Sequence, residues 1–207
     1  MNKNLKKAEE AEQLEDISNE LIIEHLTPAR AEDFLRFFDD VAFSDNKEWS
    51  ECYCQFYYYA NEDKAWENIT GAENRKNTAE RIADGSMSGY LAYLDGKVAG
   101  WCNAGRKTMY TRLMGDERLT DVVDDKIMSI VCYIIAPDLR RKGIARKLLQ
   151  RVCEDAKKEG FAFVEAYPRL GSLTCAEHYH GPLELYIKEG FSVHKELGSL
   201  DIVRLKL

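Results

Sequence analysis

The segment from Ser129 to Tyr167 constrains the fold more than any other. Ile130 to Ala136 is the longest uninterrupted apolar run in the chain, seven residues. It falls far short of the roughly 20 that a membrane-spanning helix requires, and it reads as a strand buried on both faces. Pro137 ends it. From Gly143 to Glu159 apolar residues return at Ile144, Leu148, Val152 and Ala156, with Ala145, Leu149 and Cys153 beside them. That spacing gives an amphipathic helix, stopped by Gly160, and Phe161 to Tyr167 reads as the next strand.

The turn between this strand and helix, Arg140-Arg141-Lys142-Gly143-Ile144-Ala145, carries chemistry. A helix N-terminus presents unpaired N–H groups and partial positive charge, and the absence of a side chain at Gly143 lets an anion come close. Arg140, Arg141, Lys142, Arg146, Lys147 and Arg151 add six cations with no acid among them, in a chain whose net charge is −7. The implied ligand is polyanionic, with a solvated basic face as the plain alternative. The acidic total speaks against a dedicated nucleic-acid or acidic-membrane ligand. No G-x-x-x-x-G-K-[ST] or G-x-G-x-x-G follows a strand, and Gly85 to Gly89 is not G-x-S-x-G, so nucleotide-triphosphate, dinucleotide and nucleophile-elbow readings lack support.

With 45% apolar and 31% charged residues over 207 positions, the chain can bury one full core. Residues 1–20 are expected to form a charged N-terminal extension and residues 21–207 a single domain. Leu21 to Leu26 reads as a short strand, and Thr27-Pro28 opens a helix that runs to about Phe43. Arg75 to Asp84 reads as a helix stopped by Gly85, and Tyr90–Leu94 and Lys97–Cys102 as a hairpin around Asp95-Gly96. Residues 105–126 read as a polar loop with a short helix. Pro182 opens a helix that Gly190 caps, and Phe191–Leu197 and Ile202–Leu207 close the chain as an antiparallel pair. The aromatic stretch 49–60 suits a buried strand or a pocket wall. Six cysteines are too sparse for a disulfide scaffold. With no apolar export segment after the first lysines they are expected to be reduced thiols in the cytoplasm.

Arg140 to Ala145 matches [RQ]-x-x-G-x-[GA], and Tyr186-Ile187-Lys188-Glu189-Gly190-Phe191 matches Y-x-x-x-G-F. With the hairpin before them and the strand between them, these motifs make residues 21–207 resemble the GNAT superfamily of acyl-CoA-dependent N-acetyltransferases. The resemblance implies an α/β (α+β) fold: a mixed, mostly antiparallel sheet flanked by helices and splayed at the central parallel strands, 129–136 and 161–167. It implies acetyl-CoA as co-substrate, with its pyrophosphate on the amides of Arg141, Lys142, Gly143, Ile144 and Ala145 in the motif that Arg140 opens. The pantetheine would pair with the backbone near Tyr133 and Ile135. Tyr186 would stand beside the sulfur as proton donor to the departing thiolate, and an amide at a strand break near Ile135 would hold the oxyanion. Glu165 is the candidate general base, with a water chain or an exposed edge position as alternatives. Where many relatives carry an asparagine after this strand, this chain has Tyr167-Pro168 and an extended RLGSLTCAEHYHG.

The expected activity is acetyl transfer to a primary amine, of a small molecule or a peptide, by direct attack on the thioester. The alternative is a non-catalytic acyl-CoA-binding regulatory module. Trp49, Tyr53, Phe56 and Tyr57, with Trp101 and Asn103, are candidates for the acceptor pocket, against core packing as the plainer reading. Asp116, Glu117, Asp121, Asp124 and Asp125 either attract a cationic amine or form a solvated acidic loop. Cys52, Cys54, Cys175, His178 and His180 offer soft ligands, but their spacing fits no common zinc site and no metal is expected. The C-terminal strands offer an edge for a homodimer.

Overall fold

Asp95 and Gly96 both take positive φ, 50° and 73°. A two-residue turn of this kind matches the twist of the strands it joins, here β2 (Gly89–Leu94) and β3 (Lys97–Arg106). The computed structural model describes residues 21–60, 65–120, 126–171, 173–174 and 177–207. The expected N-terminal extension, Asp121, Asp124, Asp125 and Cys175 lie outside them. The remaining strands are β1 (Ile22–His25), β4 (Ile127–Ile135), β5 (Phe163–Ala166), β6 (Ser192–Glu196) and β7 (Asp201–Lys206). The helices are α1 (Ala31–Arg36), α2 (Ala65–Asn68), α3 (Gly71–Asp84), α4 (Thr111–Met114), α5 (Ile144–Lys158) and α6 (Leu183–Lys188).

The seven strands lie in the order β1-β2-β3-β4-β5-β7-β6. Only β4 and β5 pair in parallel, with α5 as their crossover; every other neighbour is antiparallel. This is the mixed, mostly antiparallel sheet that the sequence predicts. Its two faces differ in composition. One packs Leu148, Leu149, Val152 and Ala156 of α5 onto Ala104, Ile130, Tyr133 and Val164. The other is aromatic, with Phe34, Phe38, Tyr58, Trp101 and Tyr110 at its centre.

Local chemistry moves some boundaries. α3 starts at Gly71 because Thr70 and Glu73 form a reciprocal capping box. The helix after Thr27-Pro28 widens into a π turn over Phe37–Val41, which buries Phe37 and Phe38. Residues 49–60 are not a strand. They form 3-10 turns at Lys47–Cys52 and Phe56–Tyr58, joined through left-handed Tyr53 and Cys54 at φ 42° and 55°. Two successive left-handed residues break an extended chain. The Trp101 indole N–H donates to the buried Cys54 Sγ at 3.2 Å.

Two irregularities of β4 position the site. Across β3, Asn103 faces Cys132 while Ala104 faces Ile130, so Val131 is a bulge with no partner. On the other side the β5 pairing covers only Ile127 to Ile130. Beyond Ile130 the strands part, and β5 stays with β7 through Ala166–Val203 and the Arg169–Leu200 bridge. The sheet is therefore splayed at its parallel pair. Among the described residues no helix is long and apolar enough to cross a membrane.

Candidate active site

The turn after β4 is shaped for a polyanion. Arg141 and Gly143 take positive φ, 64° and 82°. The first helical bond of α5 runs from the Lys147 amide to the Gly143 carbonyl at 3.1 Å, so the N–H groups of Ile144, Ala145 and Arg146 lie outside the helical ladder. Its cations divide into two sets. Arg140 clamps the turn, donating to the Ile135 carbonyl at 3.3 Å and pairing with Asp45, whose carboxyl it holds below the usual carboxylate range. Arg146 pairs with Glu189 at 2.5 Å and Arg151 with Asp155 at 2.6 Å. Arg141, Lys142 and Lys147 form no ion pair among the described residues. Open amides, a left-handed glycine and three free cations fit a CoA pyrophosphate.

The turn leads into the splay. Tyr186 is fully buried, and its hydroxyl donates to the His180 carbonyl at 2.5 Å. Burial drives its pKa well above the ordinary phenol value, so it stays protonated. Gly181 packs against it, and a Cβ there would come within 3.0 Å of the phenol oxygen. Tyr133, on the same face, is buried with a hydroxyl that finds no hydrogen-bond partner, although the Tyr186 phenol is near enough to perturb it. The strand break, expected near Ile135, lies at Val131.

Glu165 sits at the root of the splay and is fully buried. Its Oε1 accepts from Lys107 Nζ and from the Tyr167 hydroxyl, each at 2.6 Å, and its Oε2 from Arg204 Nε at 2.5 Å. Lys107 also donates to the Leu119 carbonyl at 2.7 Å, and Tyr167 meets Ser129 at 2.9 Å. Both carboxylate oxygens are committed to this cluster.

On the aromatic face, beside the free end of β4, lies a cavity of about 430 Å³. Cys132 and Ile134 of β4 belong to its wall, with Phe38, Phe43, Cys54 and Tyr57 buried at its floor. Half-buried Trp49, Cys52, Phe56, Trp66, Ile69 and Tyr179 form its sides, and exposed Glu48 and Glu51 its mouth, with Asn74 completing the wall. Of the expected wall residues, Trp49, Phe56 and Tyr57 line it. Trp101 and Asn103 do not: both are fully buried, and Asn103 accepts from Tyr110 at 2.9 Å and Tyr58 at 3.3 Å. Tyr53 turns outward to donate to Asp39 at 2.7 Å. Asp116 is taken up by Arg118 at 2.6 Å.

His180 joins cavity and splay. Its Nδ1 lies 2.5 Å from the Tyr167 carbonyl, which only accepts, so that nitrogen carries the proton. Nε2 then accepts from the Tyr57 hydroxyl. Burial lowers its pKa to about 4, which keeps the ring neutral. With both nitrogens committed, His180 is no free metal ligand, and no group of three or more metal-binding side chains occurs among the described residues. The Tyr57–His180 link, the Tyr133 hydroxyl, Glu48, Glu51 and Asn74 are absent from the sequence reading. Glu48 and Glu51 leave a signal in their spacing of three around Trp49; Asn74 leaves none.

The family model described as the acetyltransferase (GNAT) family matches residues 38–181. The fold is similar to that of the PaiA N-acetyltransferase of Thermoplasma acidophilum in complex with coenzyme A, at 16% identity and TM-score 0.53, covering 90% of this chain and 99% of that one. It is also similar to a GNAT-family acetyltransferase of Streptococcus pneumoniae, at 19% identity and TM-score 0.53, covering 91% and 99%. The GNAT domain of S. lividans PAT gives 12% identity and TM-score 0.56, covering 89% of each chain. At these identities the likeness shows the fold. No curated protein matches the chain. Acetyl-CoA is the co-substrate of the family, and the turn, the splay and the sheet around them are present here. With the family model spanning well over half of its length, this chain belongs to the GNAT family of acetyltransferases.

Proposed function

We propose that the chain is an acetyl-CoA-dependent N-acetyltransferase that moves an acetyl group to a primary amine by direct attack on the thioester. The observation that carries this is the convergence at the free end of β4: unpaired strand edge, open basic turn, buried Tyr186 and aromatic cavity meet there. Arg141 to Ala145 would hold the pyrophosphate, and the unpaired edge at Tyr133 and Ile135 the pantetheine, as an added strand. The neutral amine nitrogen attacks the thioester carbonyl carbon from the cavity. The carbon–sulfur bond then breaks, the sulfur takes the proton of Tyr186, and the proton that the nitrogen gives up returns through water to the Tyr186 oxygen. Backbone at the Val131 bulge would meet the charge that develops on the carbonyl oxygen. Glu165 holds Lys107 and Arg204 across the root of the splay, a positioning role in place of the expected base. Five described cysteines are free thiols, which suits the reducing cytoplasm.

Thiol release over a panel of amines tests the activity. Tyr186→Phe is expected to slow turnover by about a hundredfold, the lower range for one positioned acid, and unchanged turnover would overturn its role. Gly143→Asp, adding an acid at a left-handed position, is expected to abolish acetyl-CoA binding measured by calorimetry. Undiminished binding there would remove the site. Binding without release over any amine would favour the regulatory module.

A further inference from the structure

The cavity has an electrostatic bias that narrows the acceptor. Among the described residues lining it there is no Lys, Arg or His, and its charged groups are the carboxylates of Glu48 and Glu51. These lie three apart on the 3-10 turn Lys47–Cys52, where such residues eclipse and share a face. Asn74, 2% exposed, is a second and independent feature. Its Nδ2 donates to the Glu51 carbonyl at 2.9 Å, which fixes the orientation of the amide. The Oδ1 that remains has no partner. A buried acceptor without a donor is costly, and a ligand N–H relieves that cost.

The walls agree with these acceptors. Trp49, Phe56 and Trp66 give it aromatic sides, a surface kinder to cations than to anions; Phe56 already carries the Arg112 guanidinium 4.0 Å from its ring centre, outside the lining. An ammonium approaching past Glu48 and Glu51 gains from both charges. A carboxylate on the same molecule meets two like charges with no cation among the described lining residues to offset them. The wall at Cys132 and Ile134 is the free end of β4 itself, so an amine that reaches it is beside the thioester position.

Resting on the acetyltransferase reading, we propose that the cavity selects a primary amine carried on an aromatic or apolar body and rejects amines that bear a carboxylate. Glu48 and Glu51 draw the ammonium in, Asn74 Oδ1 accepts from its N–H, the rings cover its apolar body, and the ammonium passes its extra proton to water before the neutral nitrogen attacks. The acceptor is thus of the arylalkylamine kind and not a free amino acid.

A matched pair tests this, since 2-phenylethylamine and L-phenylalanine differ by the carboxylate. Calorimetry on the full chain is expected to show saturable binding of the amine and about tenfold or weaker binding of the amino acid, the scale of one like-charge contact near a surface. Glu48→Gln with Glu51→Gln, both at exposed positions, is expected to weaken the amine by about tenfold and to narrow the gap between the two ligands. Equal or tighter binding of L-phenylalanine, or an amine affinity indifferent to the double substitution in a variant that melts like the parent, would overturn the proposal. Thiol release separates the two readings. Selective amine binding without acetyl transfer leaves the cavity assignment standing and removes the enzyme. Transfer to carboxylate-bearing amines with no binding of 2-phenylethylamine does the reverse.

Discussion

The buried polar groups at the root of the splay and those beyond it differ in how fully they are bonded. Around Glu165 the cluster is closed: Lys107, Tyr167 and Arg204 occupy both carboxylate oxygens, and Lys107 and Tyr167 find further partners in Leu119 and Ser129. At the free end of β4 and in the cavity beside it the bonding is open: the Tyr133 hydroxyl on one sheet face and Asn74 Oδ1 on α3 are buried without a well-formed hydrogen bond. Buried polar groups are ordinarily satisfied, and a satisfied cluster has nothing left to offer a substrate. The closed cluster fixes where β4 and β5 meet. Of the buried atoms left without a partner, the Tyr133 hydroxyl lies where they part and Asn74 Oδ1 in the wall of the cavity beside it, and there unspent hydrogen-bonding capacity coincides with space for a ligand.

The largest effect belongs to the closed cluster. Glu165→Gln leaves Lys107, only 1% exposed, as a buried cation without its carboxylate. Removing one partner of a buried ion pair costs about 3–5 kcal/mol. Urea unfolding should show a loss of that size, while acetyl-CoA affinity, measured where the variant remains folded, stays near the parental value. A stability change below about 1 kcal/mol would place this cluster with the open one.

A smaller effect, confined to one pH window, comes from His180, which links the two regions. Burial holds its folded pKa at about 4, against 6.5 for the ordinary imidazole; Arg169 works in the same direction and the Tyr167 carbonyl against it. The unfolded chain therefore takes up a proton near pH 6.5 that the folded chain refuses until about pH 4. The associated stability is fully present above pH 6.5 and is lost as pH falls toward 4, by at most about 3 kcal/mol. Thermal melts at pH 7 and pH 5 should diverge for the parent and converge for His180→Gln. Parallel pH profiles for the two proteins would show that His180 carries no such burden.

The closed and open regions were unequally legible in the sequence. Strand β4, helix α5 and the basic turn announce themselves because apolar period, Pro137 and Gly143 are local signals. The capping box that moves the start of α3 to Gly71 was equally local, in Thr70 and Glu73. The aromatic stretch 49–60 reads two ways, strand or pocket wall, and left-handed Tyr53 and Cys54 decide for the wall. The charged partners of Glu165 lie 58 and 39 residues away in sequence, and His180 meets Tyr57 across 123. Pairings at such distances are set by the sheet order, which no local pattern encodes.

The smallest change is the sharpest probe of openness. Tyr133→Phe removes one buried oxygen that makes no well-formed hydrogen bond, with only the Tyr186 hydroxyl and the Cys102 thiol close by. If the hydroxyl is unspent in the free protein, its loss relieves a desolvation cost, and stability should hold or rise by up to about 1 kcal/mol. The ring remains, so its packing against the α5 face is retained. The same oxygen lies beside Tyr186, where the departing sulfur would be. A hydrogen bond made only during acetyl transfer would then be missing, and turnover should fall about tenfold with cofactor affinity unchanged, the ~1.4 kcal/mol of one such bond. Stability and turnover thus move in opposite directions, which a purely packed tyrosine would not do. A variant that loses stability and keeps its rate would instead place Tyr133 among the closed groups, leaving Tyr186 as the splay's proton donor without a neighbour.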